Sequence, residues 1–251
     1  MTRHPYLQND GPIGIAHRGG AREAPENTME SFLAASELGF RYLETDAQLT
    51  ADGTVVAFHD ETIDRVSDQT GAISSWAWDA LAEVPIYESG HLSTMSDLLT
   101  AFPGHRFNLD AKSDAVVEPL LRTVGEVEAF DRVCFGSFSH RRLAKLRSLG
   151  PANICTSFAP IAIARQVLRG YGRFFPRPAG NAAQVPPSCK GIRLVTERFI
   201  EQAHADDLAV HVWTVDEPNE MHRLLDLGVD GIMTDRPSVL KAVFEERGLN
   251  L

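Results

Sequence analysis

The sequence predicts a closed (β/α)8 barrel of the TIM type, on three observations. Short apolar runs alternate with helix-period segments along nearly all of the 251 residues. Such a strand–helix repeat builds a parallel sheet with crossover helices. About eight strands over this length favour closure into a barrel over the runner-up, an open doubly wound sheet. No Gly-x-Gly-x-x-Gly or Walker lysine loop supports nucleotide binding on that open alternative.

The elements follow in order as one barrel domain over residues 1–251. "PIGIAH" reads as a strand and "NTMESFLAASELG" as a helix, with Asn27 as its expected N-cap and a glycine stop. "RYLETDAQL" and "TVVAFHD" read as strands joined by "TADGT", a hairpin-like turn. Residues 61–93 break the alternation and read as an insertion after this third strand. "TMSDLLTAF" is helical, "RFNLDAK" a strand, and "VVEPLLRTVGEVEAF" helical apart from an internal Pro and Gly. "RVCFGSF", "HRRLAKLRSLG", "NICTSF" and "IAIARQVLRG" continue the repeat. Residues 171–190, rich in Pro, Gly and Arg, read as a mobile loop around the short strand "AAQV", with Arg173 and Arg177 placed to act as a lid. "KGIRLV" reads as the next strand, then "ERFIEQAHADD", "AVHVWTV", "NEMHRLLDLG", "GIMTDRP" and "SVLKAVFEERG" complete the series.

Charge narrows the function. The 24 basic and 34 acidic residues give a formal net charge of −10, which repels nucleic acid and anionic membrane as general partners. No window approaches the roughly 20 apolar residues of a membrane span. The opening "MTRHPYLQNDGP" has no apolar signal core, so a cytoplasmic protein without stable membrane insertion is expected. Cys134, Cys155 and Cys189 lack metal-type spacing and read as small core residues.

In a barrel the active site lies at the C-terminal strand ends. The first strand ends in His17-Arg18. The second carries Glu44 and Asp46, two apart and so on one side. The third ends in His59-Asp60, and the fourth carries Asn108, Asp110 and Lys112 on one face. A later strand carries Trp213, and the last ends in Thr234-Asp235-Arg236. Singly, each has an ordinary structural explanation, and His4, His91, His105, His140, His204, His211 and His222 keep one. Together they place acids, imidazoles and cations at the same end. Glu44, Asp46 and Asp110 are hard oxygen donors suited to Mg²⁺ or Ca²⁺. Arg18 and Lys112 supply positive charge for an anion. His17 and His59 titrate near neutrality, so one can take a proton while the other gives one. This is equipment for cleaving a small-molecule phosphodiester.

"AHRGG", "PENT", "ETD", "ADGTVVAFHDETIDR", "AAQVP", "VHVWTVD" and "GVDGIMTDRP" together resemble the glycerophosphodiester phosphodiesterase family, in order from about residue 14 to residue 238. The resemblance implies a (β/α)8 barrel with a small insertion and metal-dependent hydrolysis of glycerophosphodiesters to sn-glycerol 3-phosphate and an alcohol. It makes His17 and His59 the acid/base pair, Glu44 and Asp46 metal ligands, and Arg18 a phosphate contact. Lys112 and Trp213 complete the expected substrate contacts. The family's mechanism uses the glycerol hydroxyl as first nucleophile and passes through a cyclic phosphate opened by water. Asp110 stands where the family usually has Glu, one methylene shorter, and is expected to ligate directly. The two glycines after Arg18 are expected to let backbone pass close to the phosphate. Glu26 is a turn residue or a partner of the metal. Two alternatives remain: a lysophospholipase D-type diesterase, favoured by an exposed apolar groove beside the site, and a catalytically silent barrel that only binds phosphoesters.

Overall fold

The computed structural model describes residues 3–87, 90–172 and 174–251. From the N-terminus come β1 (Ile13–His17), α1 (Met29–Glu37), β2 (Tyr42–Leu49), β3 (Val55–Ala57), α2 (Trp78–Ala82), α3 (Met95–Ala101) and β4 (Arg106–Ala111). The middle holds α4 (Val117–Glu126), β5 (Val133–Gly136), α5 (His140–Leu149), β6 (Cys155–Thr156), α6 (Pro160–Gly170) and β7 (Ala182–Val185). The last part holds β8 (Ser188–Cys189), β9 (Ile192–Arg193), α7 (Glu197–Ala205), β10 (Ala209–Val212), α8 (Pro218–Asp226), β11 (Gly231–Thr234) and α9 (Pro237–Glu246).

Eight parallel strands run side by side in the order β6-β5-β4-β2-β1-β11-β10-β7. A parallel bridge from Ser157 to Ala182 joins the two ends of that row and completes the ring. The barrel expected from the alternation is therefore present, but two of its strands differ from the sequence reading. β3 pairs antiparallel with β2, Ala47 opposite Ala57, and is not a stave, so β2 pairs directly with β4. The stave expected from "KGIRLV" is instead supplied by "AAQV", all four residues of which are buried. "KGIRLV" folds into the separate β8–β9 hairpin, because Lys190 (φ 49°) and Gly191 (φ 79°) both take the left-handed conformation of a two-residue hairpin turn.

Period-2 alternation sorts the staves into two layers. Ala16, Leu43, Phe107, Leu109, Phe135, Val210 and Ile232 point outward into the large core shared with the helices. Ile13, Ile15, Tyr42, Cys134, Cys155, Ala182, Ala209 and Met233 point inward. Tyr6 and Leu7, from a short 3-10 turn, join that inner cluster, and the Tyr42 hydroxyl donates to the Tyr6 carbonyl at 3.0 Å. The same alternation carried one step further places His17, Glu44, Asp46, Asp110 and Gln184 inward.

Helix starts are set locally. The side chains of Thr28, Thr94, Ser139 and Thr196 each accept a backbone N–H in the first turn of α1, α3, α5 and α7, while α6, α8 and α9 begin with proline. Thr28, not Asn27, caps α1. Asn27 takes φ 60° and turns its side chain toward β2, donating to Asp46 Oδ2 at 3.4 Å and accepting from Thr45 at 2.8 Å. Residues between β3 and α3 pack a small core against Val56 of β3, in which Phe58, Ile63, Ile73, Leu81 and Leu92 are buried together.

Candidate active site

The C-terminal strand ends open into one cavity of about 820 Å³, lined on one side by His17, Arg18, Glu44, Asp46, His59, Asp110 and Lys112. Every catalytic, metal-ligand and phosphate residue expected from sequence reaches it, as does Trp213. The seven other histidines do not line it. Among them His211 is buried below the mouth, where loss of water lowers its pKa to about 4.

The turn after β1 brings Arg18 in. Arg18, Gly19 and Gly20 all have positive φ (51°, 79° and 104°). A Cβ on Gly19 would collide with Ser31, and one on Gly20 would lie 2.6 Å from Pro237 Cγ. Packing against α1 and α9 thus demands these glycines, a reason apart from the expected approach to phosphate.

Each candidate imidazole is held by a carboxylate. His17 Nδ1 lies 2.6 Å from Asp235 Oδ1, with Nε2 turned toward Glu44 Oε2 at 3.7 Å. Burial opposes a charge on His17, but Glu44 and Asp235 outweigh it and raise its pKa. His59 Nδ1 lies 2.6 Å from Asp60 Oδ1. Asp60 is braced from behind by Arg65 Nε at 2.5 Å. Burial works against the Asp60 carboxylate, but the hydrogen bonds from His59 and Arg65 hold its pKa below the usual range. An ionised aspartate on Nδ1 fixes the proton there and leaves Nε2 for the reacting oxygen.

The carboxylates and cations interlock. Lys112 Nζ lies 2.6 Å from Asp46 Oδ1 and 2.7 Å from Asp110 Oδ2. Arg18 Nε lies 3.1 Å from Asp46 Oδ2, and its backbone N–H donates to Glu44 Oε2 at 3.1 Å. Burial disfavours the Asp46 charge, but Lys112 and Arg18 pull its pKa down. Burial, then Asp46, push Glu44 up to about 7 against His17 and the cations. Burial also raises Asp110, whose Oδ1 is buried with no hydrogen-bond partner among the described residues.

The register sets Asp46 beside Asp110, so the three carboxylates share one face. Among the described residues no three His, Cys, Asp or Glu side chains are gathered as a ready metal cage, and Lys112 lies between Asp46 and Asp110. The donor chemistry nonetheless fits a hard divalent cation. An orphaned carboxylate oxygen and an under-compensated Glu44 both call for more positive charge.

Three contributors, Asp60, Asp235 and Arg65, are not assigned a role from sequence, and Glu26, read there as a turn residue or a metal partner, pairs with two arginines. Asp60 had a visible signal, its adjacency to His59. Asp235 orients His17 across 218 positions, a distance no local pattern reveals. Glu26 accepts from both Arg18 (3.2 Å) and Arg65 (2.6 Å), tying the turn after β1 to the insertion. Arg65 itself comes from within residues 61–93. Of the expected lid, Arg177 Nε donates to the Asp206 carbonyl at 2.7 Å, and its side chain does not line the cavity. Arg173 lies outside the described residues. Cys134 and Cys155 are buried on adjacent staves as expected, whereas Cys189 is exposed on β8 and lines the cavity rather than the core.

A barrel mouth in which two imidazoles flank paired cations suits a hydrolase acting on phosphate esters. The family model described as "Glycerophosphoryl diester phosphodiesterase family" matches residues 17–239, and the chain belongs to that family. It is 34% identical to the Mycobacterium tuberculosis protein named "Probable glycerophosphodiester phosphodiesterase 2", over 97% of this chain and 94% of that protein. It is 27% identical to the "Glycerophosphodiester phosphodiesterase" of Caldanaerobacter subterraneus, over 90% of this chain and 95% of the relative. Among solved structures, an Oleispira antarctica phosphodiesterase in complex with the product sn-glycerol-3-phosphate shares the fold. Its TM-score is 0.77 at 21% identity, covering 94% of this chain and 97% of that one.

Proposed function

We propose that this chain hydrolyses glycerophosphodiesters to sn-glycerol 3-phosphate and an alcohol, using Mg²⁺ or Ca²⁺. The observation that carries the reading is the pair of imidazoles at one barrel mouth, each fixed through Nδ1 by its own aspartate at 2.6 Å. Two such bases, with Arg18 and Lys112 beside them, supply both proton transfers that diester cleavage requires. A catalytically silent barrel has no use for either dyad.

Arg18 and Lys112 hold the phosphate, a fork and a point charge that offset its growing negative charge. One imidazole Nε2 takes the proton of the attacking hydroxyl. The other gives a proton to the departing alcohol oxygen. Asp235 and Asp60 keep Nδ1 protonated and stabilise each imidazolium as it forms. Glu44, Asp46 and Asp110 would hold the divalent cation, with Asp110 Oδ1 offered directly. When bound, that cation supplies Lewis-acid polarisation of the phosphoryl oxygen.

The setting proposed is the cytoplasm. The free, buried thiols of Cys134 and Cys155 suit a reducing compartment. Among the described residues no helix is long and apolar enough to cross a membrane. The test is a coupled sn-glycerol 3-phosphate assay on glycerophosphocholine and glycerophosphoethanolamine, with Mg²⁺, Ca²⁺ or EDTA. Release with a metal and its loss in EDTA are expected. No release with either metal overturns the activity, and full release in EDTA overturns the metal.

A further inference from the structure

We propose that the outer surface formed by α6, the β8–β9 hairpin and the start of α7 docks on an anionic membrane. The charge of the chain is divided unevenly. Residues 132–196 hold 11 of the 24 basic residues and none of the 34 acidic ones. That segment builds β5, α5, β6, α6, β7 and the hairpin. The net charge of −10 is thus the balance of an acidic body and one basic segment. Charges act over a Debye length of about 8 Å at physiological salt, so an approaching surface meets the local sign and not the total. The repulsion of anionic membrane expected from the total charge holds for the rest of the chain.

Some of these cations are spent inside the fold, as Arg169 is on Asp206 at 2.5 Å. Arg165, Lys190, Arg193 and Arg198 are exposed and join no ion pair among the described residues. Arg193 lies near Glu220, but that carboxylate is already held by Arg223 Nε at 2.8 Å and Nη2 at 2.6 Å. A hollow of about 350 Å³ gathers Arg193, Arg198 and Arg223 with Tyr171 around a single carboxylate, Glu197. Three guanidinium groups against one carboxylate leave a positive hollow with room for a lipid phosphate. Arg198 lies over the Tyr171 ring, 5.4 Å from its centroid, which joins the cations to the neighbouring apolar side chains.

Those side chains are unusually bare. Phe174 is 99%, Ile192 69% and Tyr171 59% exposed, and Ile161 and Leu168 of α6 are exposed as well. A single exposed hydrophobic residue is ordinary, but a group of them rimmed by cations marks a contact surface. Aliphatic side chains such as Ile161, Leu168 and Ile192 have no base to stack on, so the mixture suits the boundary of head groups and acyl chains better than a nucleic acid strand. Docking is peripheral, since among the described residues no helix is long and apolar enough to cross a membrane.

The experiment floats the protein with vesicles of phosphatidylcholine, with or without phosphatidylglycerol, at low and high salt. Partition onto the anionic vesicles should exceed that onto phosphatidylcholine by at least about tenfold, and high salt should reduce it. Lys190→Glu combined with Arg193→Glu should lower that partition at least about tenfold, and Phe174→Ser at least about fivefold. Lys190→Arg, which keeps the charge, should bind as the wild type does. Absence of binding to the anionic vesicles, equal binding to both kinds, or binding unchanged by the charge reversal overturns the docking. Retention by a single-stranded oligonucleotide without vesicle binding gives the surface to another polyanion and overturns it too. Flotation is read without turnover, so its failure leaves the phosphodiesterase reading standing, and the coupled assay tests that reading separately.

Discussion

Strands β1, β2 and β4 bring His17, Glu44, Asp46 and Asp110 to the mouth of the barrel. β5, β6 and β7 bring Gly136, Ser157 and Gln184 to the equivalent inward positions. The backbone unit is the same, a short buried stave followed by a turn and a helix. Only the last inward residues differ, and with them the physics of each half. In the first half, buried carboxylates must be paired to be tolerated, so Lys112, Arg18, Arg65 and the two histidines form one connected network. In the second half nothing needs pairing, and the wall can stay apolar and open. The comparison shows how one scaffold carries a charged half and an apolar half: each stave end is a position fixed by the sheet and free in side chain.

The comparison breaks most easily at the imidazoles. His17→Ala and His59→Ala should each lower kcat by about 10²–10⁴ on glycerophosphocholine, measured by the coupled assay. Near wild-type turnover in either variant would remove that residue from the chemistry.

The two orienting aspartates come next. Asp235→Asn and Asp60→Asn each replace a hydrogen bond between ions and should lower kcat by about 10- to 100-fold. Arg65→Ala should reproduce part of the Asp60→Asn loss and leave the Asp235–His17 contact in place, while also releasing Glu26, which Arg65 shares with Arg18. If Arg65→Ala and Asp60→Asn together cost the sum of the separate losses, the brace is not acting through Asp60.

A metal titration sharpens the role of the carboxylates. Asp110→Asn should raise the metal concentration for half-maximal activity at least about tenfold, or about 1.4 kcal/mol, and Asp110→Glu should stay active. A wild-type titration in Asp110→Asn would make Glu26 the next carboxylate to test. The smallest effect belongs outside the mouth: Arg177→Ala should change KM by less than about twofold, since Arg177 holds the Asp206 carbonyl. A larger change would return Arg177 to the substrate's path.

Much of this was legible before any coordinates. Local periodicity made "PIGIAH", "RYLETDAQL" and "RFNLDAK" strands, and inward spacing put Glu44 and Asp46 on one side. The eight-stave barrel followed from the repeat. What failed were segments too short for periodicity to rank. "AAQV" has four residues, and "KGIRLV" looks more strand-like until its Lys-Gly pair turns back on itself. β3 is apolar enough to pass for a stave, and the hairpin-like turn before it is the one local sign of its antiparallel pairing. Asn27 carries the right side chain for an N-cap, but Thr28 is one residue closer to the helix, and Asn27 was drawn to Asp46 instead.

The sequence by itself determined the fold class, the family and the residues His17, Arg18, Glu44, Asp46, His59, Asp110 and Lys112 as a set, because strand period and strand-end position are local properties of the chain. Tertiary structure alone decided their partners. Asp235 reaches His17 only because β11 and β1 are neighbours in a closed ring. Lys112 falls between Asp46 and Asp110 only because β2 and β4 pair in that register. The apolar half of the mouth exists only where α6 meets the hairpin across the cavity. Contacts between segments far apart in sequence are set by packing and closure, and no local pattern of residues encodes them.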